Sequence, residues 1–222
     1  MKIVAEIPAR AGSKRVKNKN LRLLNGRPMI SYAIEAAKRS TILTDIYVNS
    51  DSDEIGNYSE SLGVRYYKRR KELAEDDSTS DEYNYDFFQS IKPDILIQIN
   101  PVCPLVTSKD IDTILNYFIN NKFDSLITVR EERFQAFCQG KPVNFNINER
   151  LPRTQDIYPL LICAWPICIW KKETFIKSYE KNGHAIFSGK LHLYPVSFYT
   201  ALKISYEKDF LLAEKLIKLD LV

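Results

Sequence analysis

Short apolar runs and amphipathic helical stretches alternate along most of this 222-residue chain. That rhythm restricts it to a mostly parallel sheet covered by helices on both faces. Ile3 to Ile7 is an apolar run that breaks at Pro8 and feeds a basic loop reaching Asn20. Pro28 is a good first helical residue, and Met29, Ile30, Ala33, Ile34 and Ala37 recur at three and four, which predicts a helix from Pro28 to about Arg39. Asp45 to Val48 reads as strand, Asp53 to Leu62 as a helix stopped by Gly63, and Val64 to Tyr67 as strand. Helix from Asp81 to Ile91, strand from Asp94 to Ile99, helix from Ser108 to Asn120 and strand from Asp124 to Val129 continue the pattern. The rhythm fails between Glu131 and Tyr158, a polar segment holding Pro142 and Pro152, read as an inserted arm of short antiparallel strands. It resumes with strand from Leu160 to Trp170, helix from Lys172 to Asn182, strand from Leu191 to Val196 and helix from Ser205 to Leu219. The expectation is one α/β domain over residues 1–222, a three-layer αβα arrangement with a mostly parallel twisted sheet, carrying an arm at 131–158.

Thirty-two basic against 28 acidic residues leave a net charge of only +4, so bulk charge gives no reason to expect a nucleic-acid partner. Three apolar residues precede Glu6, too few for an export signal, and the uncharged stretch Ile157 to Trp170 is too short to span a bilayer, which leaves a cytoplasmic protein with no membrane contact as the expectation. Cys103, Cys138, Cys163 and Cys168 show no Cys-x-x-Cys spacing and read as reduced thiols rather than zinc ligands.

In open α/β sheets, ligands sit beyond the carboxyl ends of the strands, so the loops after Ile7, Val48, Tyr67 and Ile99 are where chemistry belongs. The first of them, Pro8 to Asn20, places five cations around Gly12. Gly12 frees backbone N–H groups, Ser13 adds a hydroxyl, and Arg10, Lys14 and Lys19 offer charge to phosphate oxygens. On charge alone a solvated loop is an equal alternative. Glycine is scarce, 7 in 222 residues, and both the Walker and the Gly-x-Gly-x-x-Gly fingerprints are missing, which disfavours P-loop and dinucleotide readings, a dehydrogenase among them.

Ile7-Pro8-Ala9-Arg10-Ala11-Gly12-Ser13-Lys14, then Lys19-Asn20 and Gly26-Arg27-Pro28-Met29-Ile30, resembles the signature of the CMP-sugar synthetases, the acylneuraminate cytidylyltransferase family. Asn49-Ser50-Asp51, the segment Arg69 to Asp76, Asn100-Pro101-Val102-Cys103-Pro104-Leu105 and Arg153-Thr154-Gln155-Asp156 resemble further family segments, in the family's order. The resemblance implies a nucleotide-diphospho-sugar transferase type of fold, often dimeric through the arm. It also implies a reaction in which CTP and a sugar acid, sialic acid or a bacterial nonulosonic acid, give a CMP-sugar and pyrophosphate for surface glycan synthesis. On the same basis Arg10, Lys14 and Lys19 would hold the triphosphate, and Ala9, Gly12, Ser13, Asn20, Arg69, Ser78 and Ser80 would line the nucleotide pocket. Asn100 and Gln155 would face the sugar acid, with Arg153 inferred as a partner for its carboxylate. Asp51 reads either as part of the site or, slightly better, as a cap for the helix near Asp53.

The resemblance also implies Mg2+ bound by two aspartates near the C-terminus, but Lys203 and Ser205 stand in their places. A lysine is no magnesium ligand; it would instead bring positive charge to where the metal usually sits. Val102, Cys103 and Val106 depart from the family as well. Two readings therefore stand: a cytidylyltransferase with an unusual acceptor and a shifted or absent metal site, and a nucleotide-binding relative that has lost catalysis and serves as a partner or regulator.

Overall fold

The computed structural model describes residues 1–12, 16 and 18–219. Seven strands build the main sheet: β1 (Ile3–Pro8), β2 (Asp45–Ser50), β3 (Arg65–Lys68), β4 (Ile95–Ile99), β5 (Ser125–Glu132), β6 (Leu160–Lys171) and β7 (Leu191–Pro195). Between and after them run α1 (Ile30–Lys38), α2 (Asp53–Ser61), α3 (Ser80–Ile91), α4 (Ser108–Asn120), α5 (Lys172–Asn182) and α6 (Glu207–Lys218). The strand order is β7-β5-β6-β4-β1-β2-β3, and only β6 runs antiparallel to its neighbours.

Alternation along β1 divides the core. Ile3, Ala5 and Ile7 face α1, α2 and α4, where Ile34, Ile55, Ile114 and Phe118 are buried against them. Val4 faces the other way, toward Phe87 and Phe88 of α3 and Phe175 of α5. Glu6 shares that second face and has no solvent exposure. A third cluster packs α6 through Phe210 and Ala213 onto Leu24, Met29 and Ile204. The helix starts have chemical causes: Ser52 caps α2, and Thr79 with Glu82 and Thr107 with Asp110 form capping boxes on α3 and α4.

Several features differ from the sequence expectation, among them the end of β5, which reaches Glu132 rather than Val129 and so takes in the first two residues of the expected arm. Helix α1 begins at Ile30, because Pro28 belongs to a two-residue antiparallel ladder in which Leu23 pairs with it across Asn25-Gly26. Asn25 and Gly26 sit at φ of 48° and 78°, the positive values that a tight Asn-Gly hairpin turn requires. Strand β6 covers the expected residues, but its pairing is irregular. Its register shifts between Cys163 and Cys168, and Trp165 stands at φ 66°, rare for a bulky side chain. The Thr128 hydroxyl repairs the ladder there, donating to the Ile167 carbonyl at 2.7 Å and accepting from the Ile167 N–H at 3.0 Å. Helix α6 starts at Glu207 rather than Ser205, since the Asp209 carboxylate takes the Ser205 and Tyr206 N–H groups and holds residue 205 outside the helix.

Candidate active site

The loops after β1, β2, β3 and β4 meet at one edge of the sheet, where the strand order reverses around β1. Backbone contacts stitch them together: Ala9 N–H to the Asn49 carbonyl at 2.9 Å, Arg69 N–H to Ser50 at 2.8 Å, and Asn100 N–H to Pro166 at 2.9 Å. Asp51 caps the first loop rather than α2, accepting from the Ala11 N–H at 3.0 Å, while Ser52 takes the helix.

Arg10 crosses from the first loop to the turn after β3. Its Nη1 lies 3.1 Å from the Asp76 carboxylate and donates to the carbonyls of Ala74 and Glu75. Its Nε and Nη2 have no acceptor among the described residues. Lys19 donates to the Ile204 carbonyl at 3.0 Å, which brings the first loop against the segment before α6. Asn20 is buried; its Nδ2 donates to the Arg10 carbonyl at 3.1 Å, and its Oδ1 has no partner among the described residues. Ser13 and Lys14 lie outside the described residues, and Gly12 is exposed.

Of the three consecutive cations at 69–71, Arg69 is the buried one, 4% exposed. It donates from Nε to Asn49 Oδ1 at 2.8 Å and from Nη2 to the Asn49 carbonyl at 3.1 Å, with its guanidinium 4.2 Å above the Tyr83 ring. Asn49 in turn donates its amide to Glu6, whose second oxygen has no partner among the described residues. Burial raises the Glu6 carboxyl to about 7, against the opposing pull of Arg69 and the Asn49 hydrogen bond. Gln98, beside Glu6 in register on β4, accepts from Asn84 at 3.2 Å. A polar interior of Glu6, Asn49, Arg69, Asn84 and Gln98 thus lies beneath the loops. The only sequence signal for it is a lone Glu or Gln inside an apolar strand.

Beside this cluster opens a cavity of about 560 Å3 whose walls include Ser80, Asn100, Gln98, Trp165, Phe187 and Lys203. The β6 irregularity aims Trp165 into it, with the Phe187 ring 5.8 Å away. The opposite wall, residues 185–188, is pinned by Asp81, which accepts from the Ala185 and Ile186 N–H groups. The Trp170 indole, donating to the Ile186 carbonyl at 2.8 Å, fixes it as well. Ser78 is half-buried in the loop before α3. Ala9 is buried at the end of β1.

Arg153 and Gln155 are not in this cavity. Both are exposed on the arm, in and beside the short 3-10 turn Thr154–Asp156, where Arg153 pairs with Asp156 at 2.7 Å and its side chain is 73% exposed. Within the arm Phe137–Cys138 forms a two-residue ladder with Lys141–Pro142. Cys103 and Cys168 are buried; burial pushes the Cys103 thiol up to about 12 and Cys168 further, so neither is a nucleophile at neutral pH.

The donors present do not fit a magnesium ion held by protein carboxylates near residue 203. Of the acids in that segment, Asp209 is taken by two backbone N–H groups and Glu207 forms a two-pronged pair with Arg22 at 2.6 Å. Among the described residues, no three His, Cys, Asp or Glu side chains gather as metal ligands do, and no helix is long and apolar enough to cross a membrane.

Residues 4–156 match the family model described as cytidylyltransferase. Post-translational flagellin modification protein B of Campylobacter coli is 29% identical over 97% of this chain and 95% of its own length. N-acylneuraminate cytidylyltransferase of Streptococcus agalactiae serotype V is 28% identical over 95% of this chain, which spans 52% of that relative. In structure, a CMP:2-keto-3-deoxy-manno-octonic acid synthetase complexed with CTP superposes with a TM-score of 0.75 over 99% of this chain and all of that one, at 15% identity. The strand order, the basic loop at the carboxyl edge and the family match over most of the chain lead to one assignment: this chain belongs to the cytidylyltransferase family.

Proposed function

We propose that the protein transfers the cytidylyl group of CTP to a sugar acid, sialic acid or a bacterial nonulosonic acid, releasing pyrophosphate and supplying a CMP-sugar for surface glycan synthesis. The observation that carries the reading is that the cation-rich first loop and the 560 Å3 cavity share one sheet edge, joined by the Lys19 contact to Ile204. The anomeric hydroxyl attacks the α-phosphorus as the bond to the β-phosphate oxygen breaks, and Arg10 and Lys19, with Lys14, stabilise the charge that builds on pyrophosphate. Ala9, Gly12, Ser13, Asn20, Arg69, Ser78 and Ser80 hold the nucleotide, and Asn100 faces the acceptor from the cavity wall. The Oδ1 of buried Asn20, without a partner among the described residues, favours this, since such a buried acceptor calls for a donor from a ligand. No step depends on a protein-held metal; magnesium, if used, arrives with the nucleotide.

Incubation with CTP, Mg2+ and a panel of sialic, other nonulosonic and octulosonic acids should release pyrophosphate with at least one acceptor. CTP binding without pyrophosphate from any of them would favour the second reading, a nucleotide-binding relative without catalysis, which the loss of the expected carboxylates at 203 and 205 supports.

The arm reads as a homodimer contact. It exposes Phe134, Phe137, Val143, Ile147, Leu151 and Tyr158, the last 83% exposed, an apolar load unusual for a free surface. Phe137→Glu with Ile147→Glu should halve the particle mass in light scattering while leaving the unfolding midpoint nearly unchanged. An unchanged mass would remove the arm from the interface. In a dimer, Arg153 and Gln155 would be presented to the partner subunit.

A further inference from the structure

Besides aromatic and amide groups the cavity is lined by His184 and by Asp81, whose carboxylate is taken by the Ala185 and Ile186 N–H groups, and a sugar acid brings a carboxylate that must be paired once water is displaced. Arg153, the sequence-based choice for that role, pairs with Asp156 on the arm and lies outside the cavity of its own subunit. Among the described residues lining the cavity, Lys203 carries the one ammonium, and none contributes a guanidinium.

Leu202 and Ile204 are 9% and 0% exposed, packed into the α6 cluster, while Lys203 between them is exposed and lines the cavity. The Ile204 backbone is fixed on both sides, its N–H donating to the Val102 carbonyl at 2.8 Å and its carbonyl accepting from Lys19 at 3.0 Å. Lys203 therefore stands on a clamped backbone, near Cys103, in a cavity lining it shares with Trp165 and Ser80. It has no carboxylate partner among the described residues. A lysine kept unpaired against a polar and aromatic cavity wall is prepared for an anion from outside the protein.

We propose that Lys203 binds the carboxylate of the acceptor and so selects sugar acids over neutral sugars. This rests on the reading that the cavity receives the acceptor. The selection is electrostatic and fixed in the protein, with Nζ paired to the carboxylate while Asn100 and the aromatic pair Trp165 and Phe187 contact the rest of the sugar.

The test measures binding of N-acetylneuraminate and of 3-deoxy-manno-octulosonate, each as free acid and as methyl ester, to the full chain saturated with CTP, alongside pyrophosphate release. Wild type should prefer at least one acid over its ester by roughly tenfold to a hundredfold, the range of a charge-assisted hydrogen bond. Lys203→Met should abolish that preference and leave CTP affinity as in wild type, which also shows the variant is folded; Lys203→Arg should retain most of it. No preference for either acid in wild type, an unchanged preference in Lys203→Met, or loss of CTP affinity in place of the acid preference would each overturn the proposal, the last by assigning Lys203 to the triphosphate. Loss of the preference in Arg153→Ala with Lys203→Met unaffected would overturn it equally. A preference that depends on Lys203 with no pyrophosphate released upholds the proposal while sinking the transfer reading. Pyrophosphate release with acceptor KM unmoved in Lys203→Met does the reverse.

Discussion

Arg10→Ala lowers kcat/KM for CTP by about 10²- to 10³-fold, the usual cost of removing one preorganised donor from a site of developing negative charge. The side chain has two tasks. Nη1 ties the first loop to residues 74–76, whereas Nε and Nη2, with no acceptor among the described residues, would be the atoms to meet phosphate oxygens in the proposed reaction. Asp76→Asn separates them: it weakens the tie and leaves the guanidinium in place. Exposed ion pairs are worth up to about 1 kcal/mol, so Asp76→Asn should cost no more than about fivefold. Steady-state pyrophosphate kinetics on the two variants distinguish a charge role from a loop tie, and an Arg10→Ala enzyme within fivefold of wild type would remove Arg10 from the reaction.

The second large effect concerns stability and is written in the buried pair beneath the loops. Glu6 has its carboxyl raised from 4.5 to about 7 by burial, so its proton is held more tightly in the folded than in the unfolded chain. The stability this contributes is fully present below about 4.5 and is lost as pH rises through about 7. At about 1.4 kcal/mol per unit, the loss amounts to about 3 kcal/mol. Denaturant unfolding of Glu6→Gln should lack that part of the slope, so that the variant gains about 3 kcal/mol on wild type between pH 4.5 and pH 8. Arg69→Leu acts in the opposite sense. At pH 8 it removes the charge that favours ionised Glu6, so the carboxyl takes up a proton instead and the cost exceeds that at pH 5.5, where the carboxyl is already neutral, by about 1 kcal/mol. The double variant should cost less than the sum of the singles, because the two side chains share Asn49. A cost for Arg69→Leu that is the same at both pH values would refute the coupling.

The legible parts of this fold were the ones fixed locally. Helices α4 and α5 run over the residues their periodicity indicated, and α4 has Thr107 and Asp110 to start it. The cation-rich loop was recognisable because charge, a lone glycine and a preceding apolar strand are adjacent in sequence. What escaped was long-range. The Asn25-Gly26 hairpin was signalled by its dipeptide, but Pro28 suggested a helix start more strongly. The kink at Trp165 depends on a hydroxyl 37 positions earlier in the chain, Thr128, and no local pattern marks it. Arg153 and Gln155 matched a sequence motif, yet their distance from Asn100 is set by the path of the arm. Glu6 and Gln98 looked like interruptions of apolar strands and are neighbours only because β1 and β4 pair.

The arm leaves the sheet at the end of β5 and returns at the start of β6, with Glu132 and Leu160 directly opposite each other. Its two ends are already closed by the ladder, so exchanging the long excursion for a turn of a few residues changes the closure entropy by about 2 kcal/mol or less. The arm is therefore a detachable module in folding terms. Lineages can lengthen, trim or swap it, and an engineer can graft another in its place, without renegotiating the seven-stranded core.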